Sequence, residues 1–245
     1  MERKKVSRKI YFRKSFYLVI FLLLAGSGFF WTSCSDQSNV TLRYRMEKNF
    51  YQSERMRKIL AINIKAATQD DFKKLISSYE TVVELASAIP KSSLPQDISD
   101  IASSAGLRIA ELYLLKKDTD FAQKTLEQVL ENYPRSIFQQ ENALLSLAQI
   151  YEEKNHKDKA ALAYHRLLES YPAVIKNKYP DQNLLSVPNR LIQLFSSKEE
   201  KAKRDSEFEF AQKYYRNLIQ AFPKTQVSFT ATLGLAGAYQ MQGLW

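Results

Sequence analysis

The sequence is short of the residues on which several large functional classes depend. Cysteine occurs once among 245 residues, at Cys34, so no intrachain disulfide can form and the folded part must stand on packing alone. Glycine occurs six times, twice inside an apolar N-terminal stretch (Gly26 and Gly28), which argues against an all-β fold built on tight turns. The chain has no glycine-rich phosphate loop and no Gly-x-Ser-x-Gly nucleophile elbow. The two histidines, His156 and His165, have no cysteine or clustered carboxylate at ligand spacing, so neither a metal nor another cofactor is expected. Acidic pairs such as Glu152-Glu153 and Glu199-Glu200 sit among lysines on expected helix faces and read as solvated. No nucleophile, base and orienting group can be placed together, and the chain reads as non-catalytic.

The net charge of +10 is concentrated at one end. Residues 1–33 hold seven of the 36 basic residues against Glu2, which leaves 29 basic and 25 acidic residues for the remainder. That near-balance, with no basic stripe interleaved with aromatics, reads as a solvated helix surface, so nucleic acid is not an expected partner.

The N-terminus sets the compartment. Its basic start is followed by an uncharged run, residues 16–31 (FYLVIFLLLAGSGFFW), which is shorter than the span of about 20 residues a membrane helix needs. This order reads as a secretory signal. The run ends in Trp31-Thr32-Ser33-Cys34 and resembles a bacterial lipoprotein signal, which is cut before a cysteine that then carries acyl chains. The small pair Thr32-Ser33 fits the cleavage site, whereas Trp31 stands where that pattern prefers an aliphatic residue. A thiol suits the role, because the thiolate is the nucleophile that takes up the lipid. The alternative is an uncleaved signal anchor with Cys34 an idle thiol. Both place residues 35 onward outside the cytoplasm, and Ser35, by resemblance to Gram-negative lipoproteins, implies the outer membrane. Residues 34–43 are polar, lack periodicity and read as a tether.

The rest repeats. LRIAELYLLKKDTDFAQKTLEQVLENYP (107–134) and LSLAQIYEEKNHKDKAALAYHRLLESYP (145–172) both place Ala three residues before Tyr and again nine after it, and both end in Tyr-Pro. Tyr113, Ala122 and Pro134 recur 38 residues later as Tyr151, Ala160 and Pro172. A further copy shows its second half in Ala211, Tyr215, Leu218 and Pro223, and another its first half in Leu235, Ala236, Tyr239 and Gly243. The physical reading is close helix packing. Ala110, Ala148, Ala122, Ala160 and Ala211 sit where antiparallel helices cross, Tyr113 and Tyr151 fill the gap between them, and the prolines stop each second helix.

This framework resembles the tetratricopeptide repeat (TPR), and its longer spacing is similar to periplasmic lipoproteins of the β-barrel assembly and Tol–Pal coordinator families. The expected fold is an all-α solenoid over residues 44–245, with helix pairs at about 44–90, 97–134, 137–172 and 182–223 and a half repeat at 226–245. In the first pair, Met46, Phe50, Met56, Ile59 and Leu60 form the expected apolar face, Asp70-Asp71 open the second helix, and an N-cap is expected near Asp97. Pro188 predicts a kink or a helix start. Leu233, Leu235, Tyr239, Met241, Leu244 and Trp245 lack a covering helix, so the chain reads as truncated or as docking there on another protein.

The resemblance implies a groove lined by first helices that takes a peptide or helix from a partner. Arg108, Glu111, Asn142, Gln149, Glu152, Thr230 and Gln240 are the first-helix side chains not spent on expected packing, and form the candidate groove. The expected function is an envelope scaffold binding other envelope proteins or peptides, held to the membrane through Cys34 or the signal anchor. The alternatives are the scaffold part of a larger lipidated enzyme or substrate-binding subunit, and a self-stacking array.

Overall fold

The computed structural model describes residues 40–175 and 182–243. The expected signal, Cys34, the connector around Pro180, and Leu244 with Trp245 lie outside the described residues. The described residues are helices joined by turns, with no strand among them. They comprise α1 (40–62), α2 (Gln69–Ser87), α3 (Gln96–Leu115), α4 (Thr119–Asn132), α5 (Ile137–Glu153), α6 (Lys157–Ile175), α7 (Gln182–Leu185), α8 (Val187–Leu194), α9 (Lys201–Ala221) and α10 (Gln226–Gln242). Consecutive helices from α2 to α6 and from α7 to α10 pack on one another, α6 packs on α8, and α3 also touches α5, as α8 touches α10, so first helices of successive pairs are neighbours. The fold is an all-α solenoid. Its buried residues form two clusters that meet at α5. Ala143, Leu147 and Ile150 face back toward α3 and α4, whereas Leu144 and Ala148 face forward. Each pair contacts only its neighbours, as in a quasi-one-dimensional array.

One register recurs on the second helices. Leu75, Ala122, Ala160 and Ala211 open it, each with at most 1% of its surface exposed. Four residues on comes the largest side chain, Tyr79, Leu126, Tyr164 or Tyr215, and three further Val82, Val129, Leu167 or Leu218, all buried. This i, i+4, i+7 stripe is the apolar face of an amphipathic helix. The small residue in three of the four copies lets the axes approach, and the aromatic then fills the interhelical space. Ala110 and Ala148 are buried on the first helices as expected. Tyr113 and Tyr151 are not the gap fillers. They stand half-buried at the rim, Tyr113 stacked on Phe121 at 5.3 Å and the Tyr151 hydroxyl donating to Glu127 Oε1 at 3.0 Å. The filler is the second-helix aromatic, because a side chain there points into the pair's interior.

The turn inside the two regular pairs is a repeated device. Lys117 and Asn155, 38 residues apart, adopt left-handed φ of 60° and 58°. In both, the next residue's N–H returns to the carbonyl five residues back (Asp118 to Tyr113, 2.9 Å; His156 to Tyr151, 2.7 Å). This Schellman closure satisfies the last carbonyls of the first helix, and Asp118 then caps α4 through the Phe121 N–H. Thr68 and Asp71 form a reciprocal capping box on α2.

Several expectations shift. The tether gives way to α1 at residue 40, four residues early. Met56 and Ile59 are exposed, because the face of α1 toward α2 carries Met46, Phe50, Ser53 and Leu60 instead. The cap residue of α3 is Pro95, and Asp97 lies in its first turn, paired with Arg43 at 2.9 Å. Pro134 and Pro223 follow helix ends, but α6 runs through Pro172 to Ile175, since a proline removes one ladder bond without forbidding helical geometry beyond it. Ala236 is exposed because, among the described residues, no second helix covers that face of α10.

The kink expected at Pro188 falls at Ser186, between α7 and α8. Pro188 sits in the first turn of α8, where its missing N–H costs least. The buried Tyr215 hydroxyl donates to Leu185 O at 2.8 Å and is also hydrogen-bonded by the Asn189 backbone. It bridges the two groups that a continuous helix would join directly, a side chain inserted into the ladder. Gly234 of α10 covers its ring, and a Cβ there would stand 2.5 Å from Tyr215 Cζ. Gly234→Ala gains about 1 kcal/mol of helix propensity. The overpacking costs more, so urea denaturation should show a net loss of about 1–2 kcal/mol.

Candidate functional site

Where the repeated slot holds tyrosine, its hydroxyl is deep in the pair and needs an acceptor. Two pairs supply a glutamate from the first helix. Glu54 of α1 accepts from Tyr79 (2.6 Å) and Glu152 of α5 from Tyr164 (2.8 Å). Each carboxylate also takes an arginine from the first helix of the next pair. Arg108 Nε lies 3.1 Å from Glu54 Oε1, and Arg190 binds both oxygens of Glu152 through Nε at 2.9 Å and Nη2 at 2.8 Å. Arg57 adds a second cation at Glu54. The result is a clasp of three helices that joins one pair to the next. Burial works to raise the Glu54 carboxyl, but hydrogen bonds from Arg57 and Tyr79 and the charges of Arg108 and Arg57 outweigh it and hold the group below the usual glutamate value. Burial, and then the hydrogen bond to the carboxylate, push the Tyr79 and Tyr164 hydroxyls well up, so they stay donors.

Beside the first clasp, α3 and α5 diverge around a cleft of about 230 Å³. Ser104, Arg108 and Glu111 line one wall, and Phe138, Gln139 and Asn142 the other. Arg108 holds Glu111 through two 2.8 Å bonds. Gln139 Nε2 donates across to Ser104 Oγ at 3.0 Å, and Asn142 Nδ2 donates to Phe138 O at 2.8 Å. Phe138 is 58% exposed, a large apolar ring at the mouth of a polar cleft.

Of the sequence-derived candidates, Arg108, Glu111 and Asn142 come together in this cleft. Gln149 is exposed farther along α5, and Thr230 and Gln240 lie apart on α10. Arg108 and Glu152 are spent on the clasps, contrary to the premise on which they were chosen. Sequence reasoning missed Glu54 and Arg190; it places Tyr79 in the buried stripe of its helix but not its hydroxyl's contact, though tyrosine in place of leucine at a packing slot marks a buried hydroxyl in want of a partner. Phe138 was also missed; it lies one residue into a helix whose apolar stripe it does not join. His165 Nε2 lies 3.1 Å from Glu207 Oε1 and its ring packs edge-on to Phe210, a packing role, while His156 stands at the α6 entry. No group of three metal-ligating side chains occurs among the described residues.

The class follows from comparison. Residues 104–136 and 142–173 each match the model of the tetratricopeptide repeat. These stretches take in most of α3 with α4 and most of α5 with α6, so the chain carries tetratricopeptide repeats there. A crystal structure of nearly identical TPR-like repeats from a putative kinesin light chain of Podosopora anserina superimposes with a TM-score of 0.50 at 14% identity, covering 82% of this chain and 88% of that one. A single-substitution variant of that same protein gives 0.50 at 13% identity over the same shares. At such identity the likeness is one of fold. The search of curated proteins found no match.

Two outcomes test the clasps. Glu152→Ala strands the Tyr164 hydroxyl and should cost about 2 kcal/mol by urea denaturation, whereas Glu152→Gln keeps an acceptor and should cost less. Because the folded Glu54 pKa is lowered, its contribution to stability is complete above the unfolded glutamate value of about 4.3 and is lost as pH falls through the folded value. Glu54→Gln should therefore flatten the acid limb of the stability profile.

Proposed function

We propose that this chain is a non-catalytic scaffold of the bacterial cell envelope that is exported, tethered to a membrane at its N-terminus, and captures a segment of a partner protein in the cleft between α3 and α5. The observation that carries the reading is Phe138, solvent-exposed beside the amides of Gln139 and Asn142 on the face where first helices adjoin. An aromatic anchor ringed by hydrogen-bonding groups is the usual make-up of a binding hot spot. Tetratricopeptide repeats generally mediate protein–protein contacts, which supports a protein partner. Arg108 and Glu111 neutralise one another, so the cleft suits an extended segment of low net charge, held by its backbone amides and one apolar side chain. The clasps support this use by holding each wall against its own neighbours, α3 against α1 and α2, and α5 against α6 and α8, before the partner arrives, which lowers the ordering cost of binding.

The basic N-terminus, the uncharged run at 16–31 and Cys34 support export and lipidation, with the outer membrane as destination. A role in outer-membrane protein assembly or envelope coordination follows from the resemblance of the repeat spacing. A photo-crosslinker at Phe138, used in intact envelopes, should trap a discrete partner. Phe138→Ala with Asn142→Ala should lower its recovery about tenfold, while Gln149→Ala should not. Equal recovery from the double variant would locate the partner elsewhere. Cys34→Ala should release the protein from membranes if lipidation holds it.

A further inference from the structure

We propose that the outward face of α1 lies against an anionic lipid surface. Sequence reading found no basic stripe interleaved with aromatics, but folding α1 gathers one. Successive residues of a helix turn by about 100°, so Tyr44, Lys48, Tyr51, Arg55, Lys58 and Ile62 fall on one face. All are exposed, Tyr44 by 63%, Tyr51 by 65% and Ile62 by 83%. Ile59 stands exposed beside them. The face carries no acid. Both glutamates of α1 lie on its flank and are engaged, Glu47 by Arg43 and Glu54 by Arg57 and Arg108. Among the ion pairs of the described residues, none joins a carboxylate to Lys48, Arg55 or Lys58.

Cations alone would suit several acidic partners. The exposed isoleucines and tyrosines suit a bilayer interface, where apolar side chains enter the headgroup boundary and tyrosine sits at its level. The length of the tether points the same way. This part rests on the membrane-anchoring reading. Cys34 stands six positions before the start of α1 and Trp31 nine, offsets that an extended chain spans in about 20 and 30 Å. Whether lipid on Cys34 or an uncleaved anchor holds the chain, α1 is kept within that distance of the headgroups. A helix so held, with three uncompensated cations outward, lies along the surface, and the α3–α5 cleft is then presented at a set height above it.

The test is hydroxyl-radical footprinting of the full chain, in detergent-free vesicles of phosphatidylcholine alone or with about 30% phosphatidylglycerol. On the anionic vesicles, oxidation of Tyr44 and Tyr51 should fall about fivefold, while Phe121 and Phe229, similarly exposed elsewhere, should not change. The variant K48E/R55E/K58E, verified as folded by its unaltered helical circular dichroism, should lose the protection. Equal oxidation of Tyr44 and Tyr51 on both vesicles overturns the proposal. So does protection that appears only on adding envelope protein extract, or that a single-stranded oligonucleotide gives as strongly without lipid. Flotation after a wash in about 1 M salt reads the anchor separately. A chain released by the wash, yet protected at Tyr44 and Tyr51 on anionic vesicles at low salt, refutes the anchor and upholds the lipid-facing role of α1.

Discussion

Putting a tyrosine where the repeat could hold a leucine obliges the solenoid to find an acceptor inside the pair. The hydroxyl of a fully buried tyrosine cannot reach water, and leaving its hydrogen bond unmade costs about 1–3 kcal/mol. In α2 and α6 the acceptor is a glutamate of the first helix, and in α9 it is the backbone of the α7–α8 joint. Each solution recruits something else. The glutamates draw in arginines from the following pair, and the backbone solution breaks a helix at Ser186. One packing slot thus determines how neighbouring pairs are joined, where a helix bends, and which first-helix charges remain for solvent.

The cleft between α3 and α5 inherits its shape from this arrangement. Arg108 forms its wall because Glu54 holds one edge of the guanidinium, which leaves the other edge to steady Glu111. The pair α3–α4 is the one whose slot holds Leu126, so its first helix has no buried tyrosine hydroxyl from α4 to satisfy. Its polar residues Ser104 and Glu111 remain at the surface of the cleft. A rigid scaffold on both sides and polar groups held in place between them is the arrangement a recognition surface needs.

Much of the fold was legible because small residues and aromatics recur at a fixed interval, and that interval reports helix packing directly. Ala122, Ala160 and Ala211 sit in the interhelical contacts that their spacing implied. The site was less legible. Arg108 and Glu152 look free on a helical wheel, and only the fold brings Glu54 and Arg190 to them, across 54 and 38 residues of sequence. Tyr113 and Tyr151 repeat as faithfully as the alanines yet stand at the rim, because periodicity reports equivalence of position and not depth. The outward face of α1 escaped notice for a related reason. Its cations are diluted by Glu47 and Glu54 in sequence and separated from them only by the turn of the helix.

The acceptors beneath the slot are of two kinds, a glutamate in two pairs and a backbone carbonyl in a third, and the distances between slots vary too, 47, 38 and 51 residues from Leu75 through Ala122 and Ala160 to Ala211. Uniform arrays run the risk that one unit of a nascent or crowded chain pairs with the wrong neighbour, since every interface is interchangeable. Here Tyr79 or Tyr164 seated against the α7–α8 joint would lose its carboxylate, and Tyr215 seated in a clasped pair would lose the broken helix that receives it. The buried polar groups therefore mark the pair that ends in α9 apart from the two clasped pairs and penalise exchange between them.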